Sequence, residues 1–277
     1  TLCCMRLHTK GQQTEGDEAM TTEDVANKGV TSKKRTNGPN RTKVATVVPR
    51  LSIVIPVYNE HAIMADAVAG LREKLAEWGV AYEIILSENG SRDETLAIAN
   101  RIAEKHRDVR VLHTEEANYG KALRRGIQDA RAEIVVCDEI DLCDVDFHRR
   151  ALEMLEAGDV DFVVGSKRLA DSDDERPAYR QLATYVFNGL LRVMLGFHGT
   201  DTHGLKAFRR ETVLATVREC LVDRDLFASE LVIRSEHAGL RMREIPLRVI
   251  EKRPPSVSLI KRVPIVENEK LVGIVSR

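Results

Sequence analysis

From Leu51 onward the chain alternates short apolar runs with amphipathic stretches. Leu51-Ser-Ile-Val-Ile-Pro-Val57 is nearly continuous, the pattern of a strand that a parallel sheet buries on both faces. Tyr82–Ser87, Val109–Leu112, Ile134–Cys137 and Val160–Gly165 repeat it. Between them Ile63, Ala67, Leu71 and Leu75 share one helical face, and Leu96, Ile98, Ala99 and Ile102 another. Ser91-Arg-Asp-Glu94 reads as a capping box for the second of these helices. Asn118-Tyr-Gly-Lys121 opens a third, which runs to about Ala130. Strands and helices in alternation predict βαβ crossovers: an α/β fold with a mainly parallel sheet flanked by helices.

The second half is less regular. Ala170–Pro177 is polar and turn-rich, the composition of a mobile loop beside the sheet. Tyr179 to Phe197 reads as a helix with a thin polar stripe of Arg180, Thr184, Asn188 and Arg192. So wide an apolar face is expected in the core first, and at a dimer or membrane interface second. Asp201-Thr-His-Gly204-Leu-Lys-Ala-Phe208 looks like a polar hairpin in which Gly204 supplies backbone freedom. Helical patterns follow at 211–220 and 225–238, and Arg241–Ile250 alternates like a strand.

Residues 1–50 lack any such periodicity. Lys28 to Arg50 carries seven basic residues and no acid, so this segment is expected to be a disordered basic tail. The folded domain is expected over 51–253, with a C-terminal extension over 254–277. At 277 residues the chain can hold one large α/β domain. A net charge of −1 and 4% aromatic residues speak against nucleic acid as a partner. The five cysteines match no zinc spacing, and their odd number fits a reducing cytoplasm better than a disulfide framework. No apolar run approaches the roughly 18 residues of a membrane span.

Chemistry concentrates after the fourth strand, in Cys137-Asp138-Glu139-Ile-Asp141-Leu-Cys143-Asp144. Close carboxylates repel one another and are tolerable only in water or around a cation. An open α/β sheet puts its ligand crevice at the carboxyl ends of its strands, where this knot falls.

Several segments, in order, carry a resemblance. They are Ile55-Pro-Val-Tyr-Asn-Glu60, Ser87-Glu-Asn-Gly-Ser-Arg-Asp93, Asn118-Tyr-Gly-Lys121, the acidic knot, Gly165-Ser-Lys-Arg168, Asp201-Thr-His-Gly204, Glu230-Leu231 and Glu244-Ile-Pro246. This set resembles the family 2 glycosyltransferases of the GT-A fold, close to their polyprenyl-phosphate (dolichyl-phosphate) mannosyl- and glucosyltransferase branch. The resemblance implies a single Rossmann-like domain and inverting transfer of a hexose from GDP-mannose or a UDP-sugar, with Mg²⁺ or Mn²⁺. In the family an Asp-x-Asp motif holds the metal; here the match is Glu139 and Asp141, with Asp138 as the alternative first ligand. Pro56, Tyr58, Glu60, Glu88, Asn89, Lys121 and Asp138 would then hold the donor nucleotide. Where that branch often has a metal-binding Gln, this chain has Cys143, whose thiol is a poor ligand for a hard cation.

Lys167, Arg168 and Arg180 are the candidates for an acceptor phosphate, met at a membrane surface. If the acceptor is instead a sugar or small-molecule hydroxyl, it needs a general base, and Asp201 or Glu230 is the candidate beside Asp141. His203 reads as a structural hydrogen-bonding residue. A nucleotide-sugar-binding module without turnover is the remaining alternative. Lys261–Arg277 resembles the closing hairpin of a cystathionine-β-synthase regulatory domain. The sugar, the base and the oligomeric state stay open.

Overall fold

β1 (Leu51–Val57) is buried at all seven positions. It takes that place because it carries hydrophobic side chains on both faces: Leu51, Ile53, Ile55 and Val57 enter one core, Val54 the other. In the computed structural model the described residues are 48–167, 169, 182, 185, 186, 189, 192 and 196–247, with strand backbones at 262–267 and 270–276. All belong to the second of two units, which divide between Ala45 and Thr46. The basic tail as far as residue 47, most of the 170–195 stretch, Arg168 and Arg180 lie outside the described residues.

The order continues with α1 (Met64–Trp78), β2 (Tyr82–Asn89), α2 (Thr95–Lys105), β3 (Val109–Thr114), α3 (Tyr119–Asp129), β4 (Ile134–Cys137), α4 (Val145–Ala157) and β5 (Phe162–Ser166). Then come β6 (Lys206–Arg209), α5 (Arg210–Glu219), α6 (Phe227–His237) and β7 (Met242–Pro246). The seven strands form one sheet in the order β3-β2-β1-β4-β6-β5-β7. Every pairing is parallel except those of β6, which runs antiparallel to both β4 and β5. Side chains of α1, α2 and α4 pack on one face of the sheet, those of α3, α5 and α6 on the other. β8 (Arg262–Glu267) and β9 (Lys270–Ser276) pair antiparallel as a separate hairpin.

Pro56 sits in a strand with neighbours on both sides, yet costs no ladder bond. Val54 O accepts from Asp138 N on the β4 side, so Pro56, two residues on, turns its nitrogen to that side as well. β4 pairs with β1 only as far as Val54, and a missing donor is harmless beyond the end of a neighbour.

Four expectations change. The Ser91–Glu94 box does not form: the Ser91 hydroxyl accepts the Asn59 N–H, and Asp93 accepts the Thr95 N–H. The segment after Asp201 is no hairpin of its own; its second half is β6, in the middle of the sheet. Gly204 is there for closeness and not for an unusual φ, since a Cβ would lie 1.6 Å from the Gly165 carbonyl oxygen. Leu182, Tyr185 and Val186, each in helical conformation, are more than 60% exposed and are not core.

Candidate active site

β1, β2, β4 and β5 end, and the antiparallel β6 begins, at one edge of the sheet. The loops at this edge are stitched together by short polar contacts. Asn89 Nδ2 donates to Val57 O at 3.0 Å, Glu60 N to Thr95 Oγ1 at 2.7 Å, and Arg92 N to Asn59 Oδ1 at 2.9 Å. Asn59 holds φ 56°, a left-handed conformation that asparagine tolerates better than most residues. Tyr58, beside it, is partly exposed on this rim.

Glu88 is buried under the same rim. Its Oε1 accepts from Ser91 N at 2.6 Å, and its Oε2 meets His113 Nδ1 at 2.5 Å. Burial alone would raise its pKa, but the Ser91 and His113 hydrogen bonds outweigh it and hold the carboxyl below its usual range. His113, at the end of β3, is absent from the sequence motifs and becomes part of the site only through the β2–β3 register, which sets it opposite Glu88. Lys121 lies at the start of α3, its Nζ 2.5 Å from Glu116 on the surface, while the helix is capped by Asn118, which accepts the Lys121 N–H.

The acidic knot separates into two roles. Asp138 is fully consumed: Oδ1 accepts its neighbour's N–H at 2.6 Å and Oδ2 meets His148 Nε2 of α4 at 2.6 Å. Both side chains are completely buried. Asp138 therefore faces the helix layer, its carboxylate shared between the Glu139 N–H and the His148 ring. The cause is register: Cys137 joins the core cluster on the opposite face of the sheet, and the residue after it points the other way.

Glu139 and Asp141 remain. Glu139 is only partly buried; its carbonyl accepts the Leu142 and Cys143 N–H groups, while its carboxylate accepts no hydrogen bond from a described residue. Burial pushes its pKa up, with Asp141 and Asp138 acting in the same sense and Lys167 and Lys206 against them. Asp141 lines an open cleft of about 650 Å³ between α1 and the start of α4, facing Lys74, Trp78 and Arg149. Cys143 lines the same cleft at φ 47°, with Sγ toward Ile140 O.

Asp201 and Glu230 are not displayed to the crevice. Asp201 is 1% exposed and accepts the N–H groups of His203 and Lys167, tying the end of β5 to the lead into β6. Glu230 accepts the N–H groups of Leu221 and Val222 and pairs with Arg234. Burial works against its ionisation, yet those partners hold its pKa below the usual range. His203 is exposed and bonds Thr202, as expected of a structural residue. Lys167 stands at the edge of the site beside Glu139. Lys206 is absent from the sequence motifs; its signal is a lysine placed in the apolar run Leu205-Lys-Ala-Phe208.

Known proteins bear on this arrangement. Glycosyltransferase AglD of Haloferax volcanii is 31% identical over 219 residues, covering 77% of this chain and 35% of that one. The chain thus spans about a third of that relative's length. A dolichyl-phosphate beta-glucosyltransferase of Dictyostelium discoideum is 27% identical over 248 residues, 81% of this chain and 76% of the relative. Among solved structures, glucosyl-3-phosphoglycerate synthase from Mycobacterium tuberculosis in complex with UDP superposes with a TM-score of 0.55 at 23% identity, over 77% of this chain and 75% of that one. A complex of the same enzyme with Mn²⁺, UDP and phosphoglyceric acid gives 0.53 at 21% identity, over 75% and 72%. These likenesses support the fold. Residues 52–218, more than half of the sequence and including every strand end of the crevice, match Glycosyl transferase family 2; the chain belongs to that family and is a glycosyltransferase.

Proposed function

We propose that this glycosyltransferase moves a hexose from a nucleoside diphosphate sugar to a polyprenyl phosphate by a single inverting displacement. Glu139 and Asp141 would hold Mg²⁺ or Mn²⁺. Among the described residues no group of three or more carboxylate, thiol or imidazole donors could enclose a cation. Two carboxylates at an open edge fit a metal that takes its other ligands from substrate phosphates and water. When bound, the metal supplies Lewis-acid stabilisation of the leaving diphosphate. The loops carrying Tyr58, Glu60, Glu88 and Asn89 would shape the nucleotide pocket, and Lys121 would complete it.

One observation carries the acceptor class: the carboxylates of Asp201 and Glu230 are committed to backbone N–H groups. A hydroxyl acceptor would need one of them as base, whereas a phosphate monoester is already ionised near neutral pH. Lys167, with Arg168 and Arg180, would meet that phosphate. The exposed Leu182, Tyr185 and Val186 suit an apolar chain or the surface of a bilayer. No helix among the described residues is long and apolar enough to cross a membrane. The dolichyl-phosphate relatives support the same reading.

A thermal-shift panel of GDP- and UDP-sugars with and without Mn²⁺ identifies the donor, because a ligand that binds only the native state stabilises it. Transfer to a short polyprenyl phosphate, to free sugars and to water then identifies the acceptor. Efficient transfer to a free sugar hydroxyl with none to the lipid phosphate would overturn the proposal.

A further inference from the structure

Lys206 opens β6, in the centre of the sheet, opposite Cys137 of β4 and Val164 of β5. It is 3% exposed, and its Nζ donates one hydrogen bond, to Gly204 O at 2.7 Å. No carboxylate among the described residues lies within ion-pair distance of it. Asp201, Glu139 and Lys167 lie near enough for their charges to act on it. A buried ammonium with one hydrogen bond and no ion pair among the described residues is costly to keep. Sequence economy does not explain it, since the flanking Leu205, Ala207 and Phe208 are all buried and apolar.

We infer that Lys206 is a phosphate-binding residue, a cation in the floor of the crevice that meets an ionised phosphate oxygen of the substrate. Lys167 is the second cation on the same edge, and together they offset a dianionic group that the carboxylates alone would repel. The inference rests on the phosphate-bearing substrates proposed above. The phosphate belongs either to the donor diphosphate or to the lipid acceptor, and both are ionised phosphates to the lysine.

The test compares wild type, Lys206→Met and Lys206→Arg. Affinities for UDP and GDP with Mn²⁺ and for inorganic pyrophosphate are measured by calorimetry, and the KM for a short polyprenyl phosphate by transfer assay. Lys206→Met is expected to weaken the phosphate it serves about 10- to 100-fold, with Lys206→Arg recovering most of the loss. A weakened UDP, GDP or pyrophosphate affinity assigns the donor; a raised KM for the lipid phosphate alone assigns the acceptor. The melting temperature of ligand-free Lys206→Met is expected to stay level or rise by about 2–4 °C, because hydrocarbon replaces an unpaired buried charge. Unchanged phosphate affinities with a lowered melting temperature would show that the lysine only braces the Gly204 turn. If Lys206→Met does not fold, the ¹⁵N resonance of the wild-type Lys206 ammonium decides: failure to move on adding pyrophosphate, UDP or polyprenyl phosphate overturns the assignment. Wild type that binds none of the probes overturns both this inference and the proposed function, whereas equal binding by wild type and Lys206→Met overturns the inference alone.

Discussion

The acidic knot shows how little a residue's type says about its job. Asp138, Glu139 and Asp141 are near neighbours of like chemistry, yet one is locked to a buried histidine, one stands beside Lys167 and one lines an open cleft. Opposite outcomes are therefore expected from similar substitutions. Asp138→Ala removes a buried hydrogen bond and strands the His148 ring in the core, so it should cost about 3 kcal/mol of unfolding free energy. Asp141→Asn keeps the shape of a surface-accessible carboxylate and should leave stability within about 0.5 kcal/mol. In exchange, Asp141→Asn should abolish the extra thermal stabilisation that Mn²⁺ adds to nucleotide binding. Urea unfolding and thermal shift on both variants check the pair of expectations. A stable Asp138→Ala protein would mean that the carboxylate is not locked.

At the scale of elements, the crevice is built by close approach. β6 can enter between β4 and β5 because Gly204 lets its lead-in pass against the Gly165 backbone. Gly126 does the same for α3, where a Cβ would lie 2.2 Å from Val54 Cγ1. Gly204→Ala would push a methyl group into a backbone carbonyl, which cannot move without parting two strands. A loss of about 3 kcal/mol is expected, with transferase activity falling further because Lys167 and Lys206 flank the displaced turn. Gly70, within α1, has open space where a Cβ would lie, with no atom within 4 Å, so Gly70→Ala should stabilise by about 0.5–1 kcal/mol. Thermal denaturation of the two variants separates a packing glycine from an idle one.

For the whole molecule, ionised groups tied down in the native state set the pH range of stability. Asp108 is partly buried, which raises its pKa, but Arg72 and Tyr82 hold it below the usual carboxylate value. Burial likewise opposes ionisation of Asp93, yet the Thr95 N–H and His61 bring it to about 2. Asp161 is lowered chiefly by its hydrogen bonds to Arg241. A carboxyl with a depressed native pKa stabilises the fold above its unfolded pKa, and that stabilisation is lost as pH falls through the native value. Stability should thus decline from about pH 4 toward pH 2. Tyr82 works at the other end: burial and then Asp108 push its phenol up to about 12. Its contribution is complete below about pH 10 and disappears as pH rises through 12. Urea midpoints across pH 2–12 should show both limbs, with Asp108→Asn flattening the acid limb and Tyr82→Phe the alkaline one. An acid limb unchanged in Asp108→Asn would remove that carboxylate from the account.

What the sequence determined by itself is the alternation of elements and the place of the chemistry. Buried strands such as β1 announce themselves because both faces must be apolar, and motifs at strand ends mark the crevice because parallel sheets expose one edge. The helix faces of α1 and α2 were legible for the same reason. What only the tertiary structure decided depends on direction and distance between segments far apart in the chain. The antiparallel course of β6 is invisible in a pattern that reads the same in either direction. Whether Asp138 or Glu139 faces the ligand turns on one step of strand register, and a period of two carries no absolute phase without a neighbour. His113, His148 and Lys206 took their places through partners 25, 10 and 69 positions away, at Glu88, Asp138 and Cys137. Ser91 was drawn from its helix cap by Asn59, 32 residues earlier. Hydrogen bonds and charges act over a few ångströms of space, so their partners become known only when the chain has folded.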